Sequence, residues 1–185
     1  MRDFTRSGPT ILMKLTDYEA TLLESLVEQF AGLLESDGEE APEAGDSFAR
    51  WQAELAEPDL LDHSDPVIRR LFPDAYSGDA EASGEFRRLT QSRQRSERLA
   101  QAEVVMSALR DSEAGSHRVQ VRVIELDAWL KTLTALRLSL AVRLGIETPA
   151  DAEELDALDE DDPRSYIYRV YEWIAYLTEN LLGLR

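Results

Sequence analysis

Leu126–Ile146 reads LDAWLKTLTALRLSLAVRLGI and Ser165–Leu184 reads SYIYRVYEWIAYLTENLLGL, and these two stretches decide the fold. In the first, Leu126, Trp129, Leu130, Leu133, Leu136, Leu140 and Leu144 recur at helical spacing, and Gly145 is placed to close the helix. In the second, Ile167, Val170, Tyr171, Ile174, Leu177, Leu181 and Leu182 do the same, with Gly183 near the end. Each stretch is long enough for five turns, so the spacing predicts a core pair of helices. Lys131, Arg137 and Arg143 interrupt the longest Leu-rich run, which argues against a membrane span. The aromatics Tyr166, Tyr168, Tyr171, Trp173 and Tyr176 spread around most of one helix. Burial is expected for Tyr171 and Trp173, while Tyr168 and Tyr176 are candidates for an exposed flank and a homodimer patch.

Working outward, Arg118–Ile124 alternates, with Val119, Val121 and Val123 on one side and charged or polar residues on the other. That pattern predicts a strand. Phe4–Arg6 and Thr10–Leu15 straddle Ser7-Gly8-Pro9 and read as a hairpin that this strand joins. Thr16 and Glu19 form a capping-box pattern ahead of a helix running to about Glu35, with Leu22, Leu23, Leu26, Val27, Phe30, Leu33 and Leu34 as its apolar face. Phe48–Ala56 reads as a short helix. Asp65-Pro66 starts another, with Val67, Ile68, Leu71 and Phe72 on its apolar side and Pro73 at its end. Glu85–Arg110 is a long helix in two halves. Val104, Val105, Met106 and Leu109 make the second amphipathic, and the first is charged, with only Phe86, Leu89 and Leu99 as apolar anchors. The expected fold is mainly α: a single-domain bundle of five or six helices spanning residues 1–185, with a small accessory antiparallel β-sheet.

The formal charge of −17 is concentrated. Acidic segments at 35–46 and 147–162 contain no base and account for most of it. Their composition predicts extended, solvated loops. Neither shows calcium-loop spacing. Cysteine is absent, so this chain forms no disulfide, thiolate metal site or thiol redox switch. His63 and His117 fall in expected loops without metal-ligand spacing. No G-x-S-x-G elbow, phosphate-binding glycine loop or dinucleotide fingerprint occurs. The residues imply no cofactor, no metal site and no catalytic set, and the Met1-Arg2-Asp3-Phe4 start carries no signal-peptide pattern. A cytoplasmic location is the expectation.

The best surface candidate is a basic strip. Arg87, Arg88, Arg93, Arg95 and Arg98 fall within twelve residues, with Glu97 the one acid among them. Such a strip suits the acidic face of a protein partner or the phosphates of nucleic acid, or pairs with the chain's own acidic segments. A pI of about 4.5 weighs against nucleic acid. The expected function is a regulatory protein-interaction module, a transcription or stress-response regulator working through a protein partner. The alternatives are a direct DNA-binding protein using the 87–98 arginine helix and, more weakly, a metal-dependent enzyme.

The sequence also carries a resemblance. Asp65-Pro66 followed by Arg69-Arg70-Leu71-Phe72-Pro73-Asp74-Ala75-Tyr76 is one signature. Asp127-Ala128-Trp129-Leu130, Leu136-Arg137-Leu138-Ser139-Leu140-Ala141 and Leu144-Gly145-Ile146 form a second, and Tyr168-Arg169-Val170-Tyr171-Glu172-Trp173-Ile174 a third. Over nearly the whole chain these resemble an actinobacterial domain-of-unknown-function family whose genes neighbour the ClpS protease adaptor and a sulfur-carrier cysteine-synthesis cluster. The resemblance implies a one-domain cytoplasmic protein related to oxidative-stress transcriptional regulators that use a C-x-x-x-C thiol pair. The cysteine-free chain cannot carry that pair, and the resemblance transfers no active-site residue.

Overall fold

A computed structural model describes residues 4–35, 65–76 and 78–185. The expected Phe48–Ala56 helix, His63 and nearly all of the first acidic segment lie outside the described residues. The N-terminal hairpin forms as read, with β1 (Phe4–Ser7) and β2 (Thr10–Met13) joined through Gly8-Pro9. The strand β3 (Val119–Arg122) completes an antiparallel sheet in the order β1-β2-β3. Phe4 stands opposite Met13, and Met13 opposite Val119. Phe4, Ile11, Met13, Val119 and Val121 are therefore buried, while Thr5 and Gln120, one register position away, face water.

The described residues also form six α-helices, of which the third and fourth pack against β3. The first, α1 (Asp17–Glu35), opens on a reciprocal cap. The Thr16 N–H donates to Glu19 Oε2 at 2.7 Å, and the Glu19 N–H donates to Thr16 Oγ1 at 3.2 Å. Ala20, Leu23, Val27, Phe30 and Leu34 form its buried stripe. The short α2 (Pro66–Leu71) starts where proline fits, with Asp65 Oδ1 accepting the Val67 N–H at 2.6 Å. The long α3 (Ala80–Asp111) is capped by Asp79, which accepts from the Ala82 N–H. After α3 the chain reverses through Glu113, Ala114 and Gly115, all at positive φ. Gly115 has φ +84, and a Cβ there would stand 3.0 Å from the Thr16 carbonyl carbon and oxygen. Only glycine lets the end of α3 pass so close to the start of α1.

A single 3₁₀ turn (Val123–Glu125) leads from β3 into α4 (Leu126–Leu144), the centre of the molecule. It packs on α1, α2, α3 and the sheet, and most extensively on the final helix, α6 (Pro163–Leu182). Trp129 and Leu133 of α4 and Ile174, Leu177 and Leu181 of α6 are fully enclosed. The two stretches that decide the fold are indeed its core pair.

The second acidic segment departs from expectation. Instead of an extended loop it holds α5 (Pro149–Asp156). Thr148 and Asp151 exchange capping hydrogen bonds, and the Glu147 N–H also donates to Asp151 at 2.9 Å. These N–H donors hold the Asp151 carboxyl below its ordinary pKa. Acids near a helix N-terminus are favoured by the exposed N–H groups, so the charge that suggests a loop supports a helix start. Leu155 is buried and fastens α5, which packs on α6.

Candidate interaction surface

The arginine strip lies on the first half of α3 and divides into two sets. Arg87 is paired with Asp74. Arg98 donates to the Leu71 carbonyl at 2.9 Å and lies 5.1 Å from the Phe72 ring centroid. Burial lowers its pKa from the usual arginine value, but arginine stays charged at any physiological pH. Arg95 donates to the Glu35 carbonyl at 3.3 Å, at the end of α1. These three arginines tie α3 to its neighbours. The other two face outward. Among the described residues Arg93 pairs only along its own helix, its Nε 2.9 Å from Glu97 Oε1, with its side chain 85% exposed. Arg88 is exposed and makes no ion pair among the described residues.

Between Arg88 and Arg93 the sequence reading expects Leu89 to be an apolar contact of the helix. It is instead 79% exposed, and Phe86, one turn earlier, is 38% exposed. The outward face of α3 thus presents a leucine between two arginines. The inward face of the same half carries Gln91 and lines a cleft of about 580 Å³ against α4 and the end of α2. A polar inward face has no apolar periodicity, which is why the sequence reading misses it.

The tyrosine flank is corrected in one respect. Tyr168 is buried, more so than the half-buried Tyr171 and Trp173. Its ring stacks on Tyr171 at 5.9 Å, and Tyr171 carries the Arg137 guanidinium 4.6 Å from its ring centroid. Burial raises the Tyr168 hydroxyl pKa, with the Glu172 and Asp156 charges adding to the shift. The sequence reading puts Tyr168 on an exposed flank because the five aromatics spread around most of the helix and cannot all face one core. Tyr176 is 46% exposed, with its ring edge-on to Phe4 at 6.0 Å. A second exposed pair, unforeseen from sequence, joins Tyr18 of α1 to Tyr166 of α6 through their hydroxyls at 2.6 Å. That bond raises the Tyr166 pKa.

His117 is exposed, 3.7 Å from Glu113. Among the described residues no three His, Asp or Glu side chains converge as a metal site. No helix there is long and apolar enough to cross a membrane.

These features define a single-domain, mainly α protein with a three-stranded accessory sheet. The chain belongs to the domain of unknown function family DUF2017, whose model matches residues 1–184. It is 27% identical over 190 residues to proteins of Mycobacterium tuberculosis and Mycobacterium bovis, each named oxidative stress regulator AosR. The similarity covers 96% of this chain and 83% of each relative. The relatives' names support a regulatory role at the level of the family. No solved structure matches the chain.

Proposed function

We propose that this protein is a regulatory protein-interaction module of the cytoplasm that works by binding rather than catalysis. Its contact surface on this reading is the outward face of α3, centred on Leu89 with Arg88 and Arg93 beside it. The observation that carries the reading is the 79% exposure of Leu89 between two outward arginines. A lone exposed leucine is ordinary. One framed by cations on a strongly acidic protein suits an acidic partner that supplies an apolar pocket. The oxidative-stress-regulator names of the relatives support a regulatory role, with transcription or the stress response as its setting. Because the chain has no cysteine, an oxidant signal would reach it through the partner rather than through a thiol of its own.

Capture of partners from the native host by the wild-type chain and by an Arg88→Glu, Leu89→Ser, Arg93→Glu variant tests the reading. Wild type retains a protein partner; the variant loses it with an unchanged thermal transition. Equal capture by both overturns the proposal. A salt titration of DNA affinity tests direct DNA binding by the same arginines. With Arg87 and Arg95 bonded within the fold and Arg98 lining the cleft between α3 and α4, few cations remain on the outward face for the phosphates of a duplex, and no binding of duplex DNA at low salt is expected.

A further inference from the structure

We propose that the cleft between α3 and α4 binds a small anionic molecule whose planar ring carries a hydrogen-bond donor and acceptor side by side, the chemistry of a nucleotide. The proposal stands apart from the partner surface, since Arg88, Leu89 and Arg93 do not line this cleft. It begins at Gln91. That residue is 1% exposed, yet neither its Nε2 nor its Oε1 has a hydrogen-bond partner among the described residues. An unpaired buried amide destabilises the folded chain, and leucine or methionine at the same place would not. As packed, neither atom is accessible from the cleft that Gln91 lines. With the side chain turned out into it, a ligand presenting the complementary edge satisfies both atoms at once, in the paired geometry by which glutamine and asparagine read an adenine edge.

The surroundings of Gln91 fit the rest of such a molecule. The cleft, about 580 Å³, lies within the usual size of small-molecule sites. Phe72, Leu130 and Leu138 give it apolar surface for a flat ring. Four charged residues line it, and three of them are already matched: Arg87 by Asp74, Lys131 by Asp127, and Glu97 by Arg93. The fourth is Arg98. Its guanidinium meets a carbonyl and a ring face but no carboxylate among the described residues. A guanidinium has five N–H donors, so one bond to Leu71 leaves others for phosphate. An amide that needs both a donor and an acceptor, apolar surface, and one unmatched cation in an acidic protein together specify a base and its phosphate. The nucleotide could be free or part of a single strand.

Nuclear magnetic resonance on the ¹⁵N-labelled full chain tests this. AMP, GMP, CMP and UMP are added separately in one arm, and a short single-stranded oligonucleotide in the other. A saturable shift of the Gln91 side-chain amide is expected with at least one mononucleotide. A shift with the strand alone assigns the same chemistry to nucleic acid. Gln91→Met should weaken binding by about tenfold or more while melting no lower than wild type, and Gln91→Leu serves as the second variant should the first fold poorly. Arg98→Met should weaken the nucleotide but not the uncharged nucleoside. No saturable shift with any probe, or undiminished binding by the folded Gln91 variants, overturns the proposal.

Discussion

Between residues 81 and 99, α3 buries only Ser83 and Gln91; between residues 100 and 111 it buries Ala102, Val105, Met106 and Leu109. One unbroken helix thus changes its work midway. The second half is held by apolar contact with α1 and α4, and little on it is free to vary. The first half is held by a cap, by Arg87 to Asp74, and by Arg98 to the end of α2. Polar ties need less apolar surface. They leave Leu89 outside, and beneath the helix they leave a cleft where a fully packed core would leave none.

Leu109→Ala should break the second half most severely. The side chain is 1% exposed, and its truncation is expected to cost about 2–5 kcal/mol. The urea midpoint should fall with little change in slope. Next in size is Gly115→Ala, just past the same end of the helix. A side chain there meets the Thr16 backbone at positive φ, with an expected loss of about 1–3 kcal/mol, again read from the urea midpoint. Removing the cap of the first half by Asp79→Ala should cost about 1 kcal/mol. Amide exchange should then quicken near residues 80–90 and stay slow near residues 100–111. Smallest is Leu89→Ala, expected to change stability by no more than about 0.5 kcal/mol while weakening partner capture. A large loss of stability there would erase the contrast between the halves.

What the sequence makes legible follows the same division. Where burial is apolar, periodicity exposes most of it: the stripes of α1 and α4, the centre of the α6 stripe, the alternation of Val119 and Val121 in β3 and the second half of α3 stand as read. Ile167 and Leu182 at the ends of α6 are exposed instead, and Val123 falls in the 3₁₀ turn. Where burial is polar, it does not. Gln91 looks like any surface glutamine on a charged helix. Leu89 looks like a core contact because nothing local distinguishes an outward leucine from an inward one. The α5 segment fails differently: its acids suggest repulsion, whereas Thr148 and Asp151 turn some of that charge into a helix start. Tyr168 fails for another reason: with aromatics spread around the helix, spacing alone does not say which of them is enclosed, and Tyr168 stacks on Tyr171 out of water. Of the candidate site, the arginines are legible as residues, but which of them remain available is decided by Asp74, Glu35 and Leu71, distant in sequence.

The register of the sheet has a consequence in time. The hairpin of β1 and β2 is local and can close within microseconds of its synthesis. Its outer partner does not yet exist, because Met13 pairs with Val119. At ordinary translation rates roughly a hundred further residues take several seconds to arrive. Through that interval the β2 edge, with Ile11 and Met13 bound for the core, must wait without its neighbouring strand. The first structure this chain can form is thus among the last it can finish.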